Sequence, residues 1–232
     1  MTQMAPDRRL LRVGVLASGT GTNLQALLDA CAAGRIAARI AVVVCNVPGA
    51  GALERAARAG VPAALLPSRG VERDVHDRAV VETLRAHEVE LVCLAGYMRL
   101  VTPELLGAFG PSPATRGCPR VMNVHPALLP SFPGLHAQRQ AIAHGARVSG
   151  CTVHFVDGGT DTGPIIAQAA VPVVDGDTED ALAARILVEE HRLFPQAVQW
   201  FAQGRLSLEG RRVRLDGPAA RAAAAVESPP VE

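Results

Sequence analysis

Apolar runs and amphipathic stretches alternate along the first half of the chain. Residues 12–17 (RVGVLA) form a brief apolar run closed by glycines, the pattern of a buried parallel strand. Residues 23–33 then set Leu24, Leu27 and Leu28 three and one apart on a helical stripe, which predicts a helix. The alternation continues with a strand at 40–45, a helix at 50–59 ended by Gly60, and a strand at 63–66. A charged amphipathic helix at 73–87 and a strand at 90–94 follow. Strand–helix repetition of this kind predicts right-handed crossovers and an α/β fold, an open, mostly parallel, twisted sheet with helices on both faces.

The second half is less regular. A short helix is predicted at 103–109. Residues 110–119 (GPSPATRGCP) hold three prolines and two glycines and read as an exposed loop, whose shortening should leave the melting temperature nearly unchanged. A strand at 121–124 is followed by 126–134, whose three prolines exclude regular structure. One X-Pro bond there, Leu129-Pro130, is expected to be cis. Residues 150–156 and 165–173 read as two strands, a hairpin or near neighbours. A long helix at 178–202 takes Thr178 as its N-cap, with Ala181 at the third position, so the capping box is incomplete. Residues 206–208 and 213–215 form a terminal antiparallel hairpin. The expected organisation is one domain, 12–216, with a phosphate-binding half at 12–110 and a catalytic half at 111–216, and frayed tails at 1–11 and 217–232.

Composition narrows the function. The chain has 232 residues, 49% of them hydrophobic, enough for one sizeable core. Aromatics are only 3%, which disfavours base-stacking surfaces, and a net charge of +1 disfavours nucleic acid as a partner. No apolar run is long enough for a membrane span or a signal segment. Five scattered cysteines, with no Cys-x-x-Cys pair, read as free thiols of a reducing cytoplasm rather than as disulfides or metal ligands.

Three segments carry candidate chemistry. Ser18-Gly19-Thr20-Gly21-Thr22-Asn23 links the first strand to the first helix, where backbone N–H groups favour an anion. The plain alternative is a tight turn without a ligand. A dinucleotide fingerprint is disfavoured because Leu24 stands where a third glycine is needed and Asn46 where an acid is expected; a P-loop is disfavoured because no lysine follows. A single phosphate fits better, and Ser18 is a poor candidate nucleophile. Asn123-Val124-His125 ends the fifth strand with both polar side chains on one face, an amide able to steady an oxyanion beside an imidazole able to handle protons. Alone, such a pair is more often structural. Residues 157–164 (DGGTDTGP) offer Asp157 or Asp161 as a partner for a histidine, or simply a turn. His76, His87 and His144 read as solvated, and His154 as a satisfied, half-buried strand residue. A zinc site from His125, His136 and His154 is disfavoured by its spacing.

Five ordered blocks then match a known family. They are VGVLASGTGTNLQALLDA, LVCLAGYMRLVTPELL, VMNVHPALLPSFPGLHAQRQAI, GCTVHFVDGGTDTGPIIAQAAVPV and EEHRLFP. On these, over residues 12–216, the chain resembles the folate-dependent glycinamide ribonucleotide formyltransferases of purine synthesis. The resemblance implies a Rossmann-like formyltransferase fold and transfer of a formyl group from 10-formyltetrahydrofolate, as co-substrate and without a metal, to the amine of glycinamide ribonucleotide. It implies catalytic roles for Asn123, His125 and Asp161. It implies ribonucleotide contacts from Gly21, Thr22, Asn23 and Glu190, and folate contacts from Arg73, Met98, Arg99, Leu100, Val101, Asn123, Gly158 and Gly159. Both substrates are small molecules, and the protein is expected to be a monomer or homodimer. The sequence departs from the family at 110–120, which is several residues longer than the usual link. Related readings are a formyltetrahydrofolate hydrolase, whose acceptor is water, and a methionyl-tRNA formyltransferase, which needs a further basic domain. A non-catalytic nucleotide-binding regulator would have no use for Asn123, His125 and Asp161 together.

Overall fold

A computed structural model describes residues 9–217. Of the expected tails, residues 1–8 and 218–232 lie outside the described residues, while Leu11 belongs to the first strand. The elements run β1 (Leu11–Ala17), α1 (Thr22–Ala32), β2 (Ala38–Cys45), α2 (Gly51–Arg58), β3 (Ala63–Leu65), α3 (Arg73–Ala86), β4 (Leu91–Leu94) and α4 (Pro103–Ala108). They continue with β5 (Val121–His125), α5 (Ala137–Ala143), β6 (Val148–Phe155), β7 (Ile165–Pro172), α6 (Glu179–Ala202), β8 (Leu206–Glu209) and β9 (Arg212–Leu215).

The main sheet has the order β3-β2-β1-β4-β5-β6-β7. The first five of these strands pair in parallel, whereas β6 pairs antiparallel with both β5 and β7. Strands β8 and β9 make a separate two-stranded sheet. The fold is the expected open, mostly parallel α/β sheet. Its core has two layers because side chains alternate across each strand. From β1, Val13, Val15 and Ala17 join Leu24, Leu27, Phe155 and Phe194 on one face, whereas Leu16 joins Val42, Val80, Leu84 and Leu105 on the other. Leu24 and Leu27 are fully buried, each contributing about 1.5–3 kcal/mol.

Sequence order reverses direction between β1 and β4, since β2 lies on one side of β1 and β4 on the other. A crevice opens at such a switch point beyond the carboxyl ends of the strands. The segments leaving β1, β4 and β5 all meet there.

Three features differ from the sequence reading. Residues 110–120 are ordered against the body rather than a free loop: Pro113–Thr115 forms a 3-10 turn with a Ser112/Thr115 capping box, and Cys118 is fully buried. Helix α5 had no expectation attached to it. It is two turns long at most, has no side-chain cap, and starts from His136 in the left-handed region, so local signals for it are weak. His76 is buried rather than solvated, with Nε2 2.9 Å from the Leu66 carbonyl. The Leu129-Pro130 bond is cis, as expected.

Candidate active site

The turn after β1 is built by close packing. Gly21 is the N-cap of α1 with φ 74°, a conformation that suits glycine, and a Cβ there would lie 2.8 Å from the Ala52 Cα of α2. Glycine at 21 is therefore required by helix packing whether or not a ligand binds. No side chain caps α1, so its leading N–H groups face outward at the positive end of the helix dipole. The Ser18 hydroxyl donates to Asn46 Oδ1 at 2.6 Å and accepts the Met98 N–H at 2.8 Å. Asn46 in turn donates to the Ser68 hydroxyl at 2.9 Å. Ser18 is thus a strut between the ends of β1, β2 and β4, and Asn46 fills the place of the missing acid by carrying that network.

Two concavities flank this turn. One, of about 550 Å³, is lined by Thr22, Gln25, Arg35, Arg55, His191 and Arg192, among others. The other shares Arg55 and reaches Gly19, Thr20 and Gly51. Arg55 is fixed by bonds from Nε to the Thr20 carbonyl at 2.8 Å and from Nη1 to Gln25 Oε1 at 3.1 Å. Burial depresses the basicity of His191, the Arg55 charge adds to this, and Asp29 opposes it. Sequence reading singled out neither Arg55 nor His191; the contacts that bring both beside Thr22 are long-range.

Glu190, on α6, reaches the same turn. It is 6% exposed, and its Oε2 accepts from Asn23 Nδ2 at 2.8 Å. Burial pushes its carboxyl up to about 7, with the Asn23 hydrogen bond pulling the other way. The Asn23 Oδ1 atom is buried without a partner. Asn23 and Glu190 therefore stand together at the turn that Thr22 opens.

Asn123 and His125 leave the end of β5 on one face and meet Asp161 from the 156–164 loop. His125 Nδ1 is 3.3 Å from Asp161 Oδ2, and its Nε2 is 2.9 Å from the Phe132 carbonyl. Both ring nitrogens therefore face oxygen acceptors. Asn123 Nδ2 lies 3.4 Å from Asp161 Oδ1 and 3.2 Å from His154 Nε2. Burial raises the Asp161 carboxyl, but hydrogen bonds from His154 and the Gly134 N–H, with the charges of His125 and His154, outweigh it and hold the carboxyl below its ordinary value. The Gly134 bond is 2.8 Å.

His154 corrects an expectation. It is 2% exposed, not half-buried, and it belongs to this cluster. The β5–β6 register sets it directly opposite Asn123. Its Nδ1 is 2.8 Å from the Phe155 carbonyl, and its Nε2 faces Asn123 Nδ2 at 3.2 Å and Asp161 Oδ1 at 3.6 Å. A polar residue facing inward on a paired strand opposite the Asn-x-His segment is the signal that would have found it. His136 is drawn away, with Nδ1 3.6 Å from Glu179 Oε1.

Backbone geometry is unusual around the cluster. Phe132, His136 and Asp161 all have positive φ, of 54°, 57° and 53°. Non-glycine residues there cost about 1–2 kcal/mol each and concentrate at functional sites. The Asp161 loop is further pinned by Asp157 Oδ1, which accepts the Thr162 hydroxyl at 2.6 Å and the Gly159 N–H at 3.1 Å. A Cβ on Gly159 would lie 2.1 Å from Thr162 Oγ1, whereas Gly158 has open space.

The 98–101 segment follows β4 at the crevice. Met98 and Leu100 are 69% and 53% exposed, Val101 is half-buried, and Arg99 donates from Nη1 to the Ser68 carbonyl at 3.0 Å. Its Nε and Nη2 are buried without partners. Asp77, fully buried on α3, accepts the Thr102 N–H at 2.7 Å and ties the segment to that helix. Arg73 is exposed on the first turn of α3, one turn before Asp77, and does not join the Asn123–His125–Asp161 cluster.

Comparison with known proteins bears on this geometry. A family profile described as formyl transferase matches residues 11–198. Phosphoribosylglycinamide formyltransferase of Escherichia coli K12 is 39% identical over 208 residues, covering 89% of this chain and 94% of its own. The trifunctional purine biosynthetic protein adenosine-3 of Drosophila melanogaster is 45% identical over 206 residues; the match covers 88% of this chain, which spans only 15% of that longer protein. The crystal structure of glycinamide ribonucleotide transformylase 1 from Symbiobacterium toebii superposes with a TM-score of 0.84 at 55% identity, covering 89% of this chain and 94% of that one.

Proposed function

From the premise that the chain belongs to the formyl transferase family, we propose that it moves a formyl group from 10-formyltetrahydrofolate to the amine of glycinamide ribonucleotide, a step of purine synthesis. The observation that carries this reading is the convergence of Asn123, His125 and Asp161 at the crevice that also holds the uncapped start of α1. Relatives that this chain covers over 94% of their length carry the same activity in their names.

In this reading the ribonucleotide phosphate sits against the N–H groups of Gly21, Thr22 and Asn23, with the nearby arginines adding positive charge. Glu190 faces the rest of that substrate. The exposed Met98 and Leu100 offer apolar contact to the folate rings. The orphaned N–H groups of Arg99 suit an acceptor on the same ligand, so this segment fits a folate. Arg73, Val101, Gly158 and Gly159 would complete its surroundings.

The reaction is acyl transfer. The amine attacks the formyl carbon, the carbonyl oxygen takes up negative charge, and the bond from carbon to the folate nitrogen then breaks. Asn123 turns one N–H from its long contacts to the developing oxyanion. The His125 ring, held between Asp161 and the Phe132 carbonyl, stands beside the same charge and stabilises it through its N–H dipoles. The ionised Asp161 accepts the amine proton, directly or through water, and returns it to the folate nitrogen, so the proton count balances. Holding both substrates in one crevice supplies the orientation. These steps need no metal and no covalent enzyme intermediate. The five free cysteines fit a cytoplasmic protein.

The test is a transfer experiment with folate labelled in the formyl carbon. Mass spectrometry should find the label on the ribonucleotide amine. Label recovered only as free formate would reject the assignment.

A further inference from the structure

Residues 110–120 and the β8–β9 hairpin have no part in the chemistry above, yet they form a continuous path to it. The path starts in the core, where Cys118 is fully buried and its carbonyl accepts the Thr115 hydroxyl at 2.7 Å. Arg116 and Gly117 follow one another in the left-handed region, with φ of 53° and 78°. That turn presents the Arg116 carbonyl to the Leu208 N–H of β8 at 3.2 Å. The Arg116 guanidinium also donates from Nη1 to the Gly204 carbonyl at 3.0 Å and to Asp216 Oδ2 at 2.5 Å, clasping both ends of the hairpin. The hairpin is not part of the main sheet; these contacts, the burial of Leu206 and the packing of Leu208 and Val213 on the core hold it in place.

At the far end, the tight turn between β8 and β9 carries Arg211. Its Nη2 donates to the Thr162 carbonyl at 2.6 Å. Thr162 is the residue after Asp161, whose backbone is held at positive φ and whose carboxylate meets His125. A strained residue keeps its conformation only where its surroundings fix it. The Thr162 hydroxyl is fixed within the loop by Asp157, but its carbonyl is fixed from outside by Arg211.

We propose that the 112–117 segment and the β8–β9 hairpin form a strut that sets Asp161 in place, with Arg211 as a positioning residue for the formyl transfer. The inference rests on the functional reading above. Arg211 touches neither substrate; it acts by restricting the Asp161 loop. The 110–120 link then has a purpose, which is to seat the hairpin.

The experiment compares steady-state kinetics of the wild type with Arg211→Ala, Arg211→Lys, Arg116→Ala and the Arg116→Ala/Arg211→Ala double variant. An exposed arginine can be removed without loss of the fold, and circular dichroism checks this. Arg211→Ala should lower kcat by about threefold to tenfold with each KM within about twofold, since a catalytic group displaced by ~1 Å can cost up to about 100-fold. Arg211→Lys should recover part of the loss, because an ammonium can still donate to a carbonyl. Arg116→Ala should give a similar kcat loss, and the double variant should be no worse than Arg211→Ala, because both act through one strut. Unchanged kcat in Arg211→Ala would overturn the strut, as would additive losses in the double variant. A wild type without formyl transfer would instead reject the functional reading, so the two failures are distinct.

Discussion

Asp161 is the residue on which most of the site's order depends. It accepts from the Gly134 N–H, faces His125 and Asn123, and does so from a left-handed backbone. Asp161→Asn keeps the size and removes the charge. It should cut kcat by more than about tenfold and leave ribonucleotide affinity nearly unchanged, as expected for a group that acts on the transition state. His125→Ala should do at least as much damage, and the double variant no more than the worse single, because the two act as a unit. Steady-state kinetics with calorimetric binding checks this; additive losses would separate the residues. Glu190 makes a second prediction at this scale. Its carboxyl is raised from 4.5 to about 7 by burial, so the folded chain keeps a proton that the unfolded chain releases. The stability from this group is present in full below pH 4.5 and is lost as pH rises through about 7. Glu190→Gln should abolish that decline, which amounts to about 1.4 kcal/mol per unit of pH across the window. Denaturant titrations at pH 5 and pH 8 should therefore show the variant gaining on the wild type at the higher pH.

Among the elements, those with strong periodicity were legible in the sequence. β1, α1, β2 and α6 lie within a few residues of their expected bounds, because their apolar positions repeat at the period of the element. Thr178 caps α6 as expected, its hydroxyl accepting the Ala181 N–H at 3.1 Å. The residues alone marked Asn123 and His125 and left Asp157 and Asp161 as alternatives; the family resemblance chose Asp161, and the structure brings Asn123, His125 and Asp161 together. What was not legible depends on tertiary contact. His154 joins the cluster through the β5–β6 register, His76 is buried by α3 packing near Tyr97, and 110–120 is ordered by the hairpin that arrives some 90 residues later. The last point reverses an expectation. Shortening 112–117 removes the Arg116 contacts and should lower the melting temperature by several degrees, about 4 °C for each kcal/mol lost; thermal denaturation checks it. Gly21 carries a similar lesson. Gly21→Val would drive a Cβ into α2, so a fall in ribonucleotide affinity in that variant would report broken packing as readily as a lost phosphate contact.

At the scale of the whole molecule, function follows from where the sheet changes direction. The switch between β1 and β4 opens the crevice, the parallel β5 delivers Asn123 and His125 to its edge, and the antiparallel β6 and β7 return the Asp161 loop to the same place. All 23 lysine-plus-arginine positions are arginine, so the basic side chains beside the glycine turn are planar guanidinium groups suited to paired hydrogen bonds with a phosphate. Beside the start of α1, Arg35, Arg55 and Arg192 line one concavity together with Asp29, and Arg192 is paired with Glu189. No described helix is long and apolar enough to cross a membrane. The central claim is that this crevice joins two substrates, with the ribonucleotide amine as the acceptor. The most direct measurement is the rate of tetrahydrofolate release from 10-formyltetrahydrofolate, followed by absorbance, with and without glycinamide ribonucleotide. Release should depend on the ribonucleotide and saturate with it. Release at the same rate in its absence would mean that water is the acceptor, and would contradict the central claim.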